Sequence, residues 1–184
     1  MSIPSNKPKQ NKFTTQTLAQ IGVMAALVFV SNYFSIPLPG TRIHLGAVCV
    51  LLSGFYLGGL PGGLAAGLGA GMYDLLAPNI GVLSAPTTFF FRFIMAFLAG
   101  TLSRLRIKAP KPILHTIAAA VAAVTYAILY LGKKGFEQIL LGSSFEVVLL
   151  AITSRAPASA TNAVIGICAS VPLSLIALPR RRNR

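Results

Sequence analysis

The stretch Gly58-Gly59-Leu60-Pro61-Gly62-Gly63 decides how this chain folds. It lies in the middle of an apolar run from about Leu45 to Ala77. That run is too long for a single membrane-crossing helix, which needs about 20 residues. Glycine and proline interrupt it, so it reads as two short spans, 45–60 and 62–77, joined by a tight hairpin. Each is near the lower length limit and requires a thin or well-packed region of the membrane. Upstream, a first span covers 15–36 and stops at Pro37-Leu38-Pro39-Gly40, residues that cannot continue a helix. Downstream, spans cover 88–103, 113–131 and 158–178, and Pro172 is expected to kink the last. In 135–155, Glu137, Gln138, Ser143, Ser144 and Glu146 interrupt apolar residues. This segment reads as extensions of spans five and six with a turn near Gly142-Ser143. The expectation is one all-α integral membrane domain over 1–184, with six transmembrane helices after a basic tail at 1–14.

Composition agrees with a bilayer solvent. Of 184 residues, 54% are hydrophobic and 10% charged, and the mean hydropathy is +0.73. A water-soluble domain carries about 25% charged residues. Sixteen Lys and Arg face only three acids, Asp74, Glu137 and Glu146. The basic residues cluster between and beyond apolar runs, as loop charges of membrane proteins do, which argues against nucleic acid as a partner. Cys49 and Cys168 sit in separate apolar stretches, with neither disulfide nor metal spacing.

The basic clusters also set an orientation. Lys7, Lys9 and Lys12, then Arg104, Arg106, Lys108 and Lys111, then Arg180, Arg181, Arg182 and Arg184 fall on one side of a six-span chain. Eleven of the sixteen cations therefore lie on one side, which reads as cytoplasmic and holds both termini. Arg42, Arg92, Lys133, Lys134, Arg155 and the three acids gather toward the other side.

An ionisable group at membrane depth is costly and faces a cavity or a partner. Arg92 lies about one turn inside span four and Asp74 near the end of span three. Two readings stand: a structural Arg92–Asp74 ion pair, or a pocket open to the outside, to which Tyr73, Asn79, Thr87, Thr88 and Asn162 add hydrogen bonds. In the first outer loop, Arg42 is a candidate anion clamp, because its planar fork meets carboxylate or phosphate at two points. His44 has too few companions for a metal site, and His115 reads as structural. Small residues four apart, Gly54/Gly58 and Gly59/Gly63/Gly67/Gly71, let helices pack closely. Gly22 and Ala26 in span one serve either internal packing or the docking of another membrane subunit.

There is no phosphate-cradling loop, no HExxH and no GxSxG. The chain has no visible engine of its own, and an ATP-hydrolysing partner would have to power transport. Other readings are a self-contained small carrier or channel, a lipid-modifying enzyme and a purely structural subunit. A carrier would need pore-lining polar residues in several spans, and few spans have them.

Several motifs, in this order, resemble one family. They are Thr41-Arg42-Ile43-His44-Leu45-Gly46, the glycine-rich hairpin Leu57–Gly67, Tyr73-Asp74-Leu75, Pro86-Thr87-Thr88-Phe89 and Arg155–Ala163. Together with span count and size, they make the chain similar to the substrate-binding S components (EcfS) of energy-coupling factor (ECF) vitamin transporters. The resemblance implies a multi-pass protein of the bacterial plasma membrane that captures a vitamin or cofactor precursor outside. It also implies that the chain is not an enzyme and binds no cofactor of its own. It implies partnership with a transmembrane scaffold subunit and two ATPase subunits, which use the ATP. The family's docking helix implies a contact at Gly22 and Ala26. The family's site falls here on Arg42, His44, Tyr73, Asp74, Asn79, Arg92, Arg155 and Asn162. The surplus of outer cations points to an anionic ligand such as pantothenate.

Overall fold

The computed structural model describes residues 14–38, 41–77, 84–105 and 110–177. The order of elements is α1 (Thr15–Tyr33), β1 (Ser35–Leu38), β2 (Thr41–His44), α2 (Gly46–Leu57), α3 (Gly59–Leu76), α4 (Ala85–Leu102), α5 (Lys111–Leu140), α6 (Phe145–Thr153) and α7 (Ala156–Ala177). The fold is all-α apart from one short hairpin. Among the described residues, four stretches are long and apolar enough to cross a membrane: α1, α4, α5 and the consecutive α6–α7.

The break in the long apolar run falls at Gly58 alone, slightly earlier than the sequence suggested. Gly58 takes φ +91°, a left-handed conformation that costs glycine little, and its N–H closes the last turn of α2 on Gly54 O at 2.8 Å. Pro61 stays inside α3, in the first turn, where a missing N–H breaks no helical bond. At its start, α1 is capped by Thr14, whose Oγ1 accepts from Thr17 N at 3.3 Å. It ends at Tyr33, earlier than expected, because the next residues pair instead. β1 and β2 are antiparallel, with Ser35 opposite His44 and Pro37 opposite Arg42. The sequence had suggested a plain loop here. Ile36, set opposite position 43 in the register, is a β-branched residue of the kind that favours strands. Pro172 leaves α7 continuous from Ala156 to Ala177. α5 runs to Leu140, Gly142 turns the chain at φ +68°, and α6 packs back with Ile152 and Val148 over Gly135. A second corner at Ser154-Arg155 separates α6 from α7.

The small residues act where helix backbones touch. α3 packs most extensively on α4. Gly59, Gly63 and Gly67, four apart on α3, lie under Phe97, Phe93 and Phe89, four apart on α4. These rings stack on one another with centroids about 6 Å apart (6.2 and 5.9 Å). On its other side, Gly69 faces the Ala25 carbonyl and Val28 of α1. α2 crosses α4 at Gly54, Ala96 and Gly100, backbone against backbone. The buried core is small-residue rich, with Ala66, Ala96, Ala99, Ala118, Ala119 and Ala122 around Val28, Leu51 and Met95. Close approach through small side chains is how helices associate in lipid, where burial of apolar surface gives little drive.

His115 has a structural place in the half of the bundle where α1 starts and α7 ends. Ser174 Oγ donates to Val171 O (2.7 Å), so His115 Nδ1 must donate to Ser174 Oγ (2.8 Å). Phe55 stacks on its ring at 4.8 Å.

Candidate functional site

The opposite end of the bundle collects the polar residues. Arg92, on α4, is 3% exposed. Its Nη2 lies 3.1 Å from His44 Nε2, at the end of β2. A guanidinium only donates, so Nε2 accepts, and in the neutral ring the proton then sits on Nδ1. Tyr126 of α5 lies flat beneath the charge, with Arg92 Cζ 4.3 Å from its ring centre. Nη1 reaches only the Met95 sulfur at 3.9 Å, a weak acceptor, and Nε is buried with no hydrogen-bond partner among the described residues. Asn162 of α7 accepts from the His44 backbone N–H at 2.9 Å, anchoring the hairpin to the last helix. Three elements thus meet at one guanidinium, α4, β2 through His44 and α5 through Tyr126; α7 braces the hairpin through Asn162, and α1 approaches it through Asn32. The last occupies, with His44 Nδ1, the space above Gly46.

Asp74, 8% exposed at the end of α3, forms a second group. Thr88 Oγ1 donates to its Oδ2 at 2.5 Å and Ser84 Oγ at 3.4 Å. The expected alternative of an Arg92–Asp74 ion pair is not formed; the ion pairs among the described residues join Glu137 to Lys133 (3.6 Å) and Lys134 (2.7 Å). The reason lies in helix geometry: Asp74 faces the first turn of α4, whereas Arg92, one turn further along, is drawn across to the His44 hairpin. Next to Asp74, Thr87 Oγ1 accepts from Lys133 Nζ at 2.5 Å and donates to Ser84 O at 2.8 Å.

Of the residues expected from sequence, His44, Arg92 and Asn162 meet directly, and Asp74 stands beside them with Thr87 and Thr88. Tyr73 joins an edge-to-face aromatic cluster with Tyr33 (4.9 Å) and Phe29 (6.4 Å) between α1 and α3. Arg155 sits at the α6–α7 corner, its Nη1 donating to Ala151 O at 2.9 Å. Asn79 and the Arg42 side chain lie outside the described residues. Tyr126, Lys133 and Asn32 were missed. A signal for two of them existed: Tyr126, Tyr130, Lys133 and Glu137 follow helical 4-3-4 spacing and mark one polar stripe on α5.

A separate apolar cleft of about 500 Å³ lies at the other end, between the start of α1 (Gln16, Gln20, Val23, Met24) and the end of α2 (Tyr56, Leu57). Gly22 borders it in sequence, and no atom lies within 4 Å of where its Cβ would be. Gly22 therefore plays no part in packing within the described chain.

No match was found among the curated proteins. The family model described as "ECF-type riboflavin transporter, S component" matches residues 12–178, taking in every helix and both strands. Such components are substrate-binding membrane subunits of transporters, not enzymes. The chain belongs to the family of ECF-type riboflavin transporter S components.

Proposed function

We propose that this chain captures a vitamin at the extracellular face of a bacterial plasma membrane, in a site built around Arg92, His44 and Asn162. It then passes the vitamin inward with a scaffold subunit and two ATPases. In this reading the chain crosses the membrane six times, through α1 to α5 and α7, with both termini in the cytoplasm. The single observation that carries it is the buried Arg92 guanidinium, held by His44 and Tyr126 with Nε unclaimed. A buried cation without a counter-ion is costly to maintain, and a ligand oxygen offsets that cost. The family description supplies riboflavin as one cargo; the surplus of outer cations supports an acid such as pantothenate as another.

The test is a thermal-shift screen of the detergent-purified protein against riboflavin, pantothenate and the other water-soluble vitamins. A ligand at about 100 times its Kd adds about 2.7 kcal/mol to the folded state. For a chain of this size that corresponds to a rise of about 5–10 °C in Tm. No rise with any vitamin, in folded protein, overturns the capture role.

Docking of the scaffold is assigned to the outward face of α1. Gly22 and Ala26 are exposed there, flanked by Leu18, Val23, Leu27 and Val30, all at least half exposed. Gly22→Trp and Ala26→Trp are expected to abolish ATP-driven uptake in vesicles holding the whole transporter, with vitamin affinity unchanged within about twofold. Uptake by this chain without its partners would point instead to a self-contained carrier.

A further inference from the structure

We infer that the ligand is two-sided: a nitrogen that donates, N–H or ammonium, faces Asp74, and an anionic or carbonyl oxygen faces Arg92. This rests on the substrate-binding role above and narrows its chemistry. Both charged groups are buried, and neither has an oppositely charged partner within 4.0 Å among the described residues. Each buried ion left without a counter-ion costs several kcal/mol, so a chain selected only for stability would pair them or replace them. They are not remote from each other, because Thr88, which donates to Asp74, stands one helical turn before Arg92 on α4. Each is held in place by its own neutral scaffold. His44 and the Tyr126 ring hold Arg92, and Thr88 and Ser84 hold Asp74.

The atoms left over define the ligand. Both hydroxyls reach Asp74 through Oδ2, and Oδ1 takes no hydrogen bond from the described residues. Arg92 Nε is buried and donates to none of them. A simple acid satisfies Arg92 but brings a second negative charge toward Asp74. A simple cation satisfies Asp74 but is repelled by Arg92. A ligand with donor and acceptor on one edge satisfies both, and leaves no unpaired polar group to penalise the complex. The imide edge of riboflavin, an N–H flanked by two carbonyls, has this form; a zwitterion does as well.

The experiment uses the full chain in detergent and the vitamin that gives the largest thermal shift. Affinity is measured by titration for the wild type, Arg92→Gln and Asp74→Asn. The expected result is a loss of at least about 30-fold in each variant, as for truncation of one partner of a buried charge pair. Without vitamin, both variants should melt no lower than the wild type, because each removes an uncompensated buried charge. If the wild type binds and only one variant, or neither, loses affinity, the two-sided ligand is overturned while the capture role stands. If no vitamin shifts the wild type, the capture role itself fails and this inference with it. Should Asp74→Asn not fold, the wild type decides alone. The N-methylated counterpart of the bound vitamin (3-N-methylriboflavin where the vitamin is riboflavin) lacks the donor. It is expected to bind at least about 30-fold more weakly, and equal affinity overturns the proposal.

Discussion

Gly54→Val is expected to leave almost no folded protein in the membrane. A Cβ at Gly54 collides with the Ala96 carbonyl oxygen and comes within 3.0 Å of Gly100 N. The same crossing is closed from the other side, where a Cβ on Gly100 lies 2.5 Å from both Gly54 O and Gly58 C. Every one of these atoms is backbone, so no flexible side chain can swing away. A single overpacked methylene in a well-packed core costs about 1–3 kcal/mol. Valine adds three carbons at a point where two helix backbones touch, which separates α2 from α4 and opens the Ala96–Ala99 core. The yield of monodisperse protein, read by size-exclusion chromatography of a fluorescently tagged chain, should fall at least about tenfold. Gly132→Ala is the control, because nothing lies within 4 Å of that position. It should elute and melt like the wild type. Normal yield and melting of Gly54→Val would mean that α2 and α4 do not cross at these residues.

Arg92→Lys should cost about 100-fold in vitamin affinity although the charge is kept. Lysine is a point charge on a flexible stem and cannot reproduce the planar fork. Arg92 Cζ lies over the Tyr126 ring at 4.3 Å while Nη2 meets His44 Nε2 at 3.1 Å. Both contacts depend on the guanidinium plane, and losing them lets the cation drift from its place. A buried, hydrogen-bonded charge contact to the ligand that is lost or misplaced costs about 3 kcal/mol of binding, the basis of the hundredfold figure. Titration with the stabilising vitamin checks this, alongside melting of the vitamin-free variant to show that it folds. A lysine variant that binds within about threefold of the wild type would show that charge alone suffices, and that the His44 and Tyr126 contacts do not shape the site.

The sequence by itself determined the helical class and most of the helix positions. Long apolar runs show how much chain can sit in lipid, and Gly58, Pro37 and Pro110 show where a helix cannot continue. These are local properties, written in neighbouring residues. It also determined that α3 carries a glycine face, because spacing by four places Gly59, Gly63, Gly67 and Gly71 on one side of a helix. That this face receives Phe89, Phe93 and Phe97, while Gly54 meets Gly100, was decided by tertiary structure. In lipid both the inward and the outward face of a helix are apolar, so hydrophobic patterning cannot say which helix covers which. The hairpin at 35–44 shows a similar limit. Its Pro-Gly turn was legible, but strand pairing needs the partner in register.

The site divides in the same way. Arg92 and Asp74 stood out in sequence as charges at membrane depth, and the composition left few others to consider. Their failure to pair could not be read, nor could the contacts that replace the pair. His44 meets Asn162 across 118 residues and Arg92 across 48, and Lys133 meets Thr87 across 46. Such contacts depend on the rotation of each helix about its axis and on which helices are neighbours. Both are set by the small-residue crossings of α2, α3 and α4. The sequence therefore named the charges, and the packing of glycine against backbone and phenylalanine decided that they face an interior rather than each other.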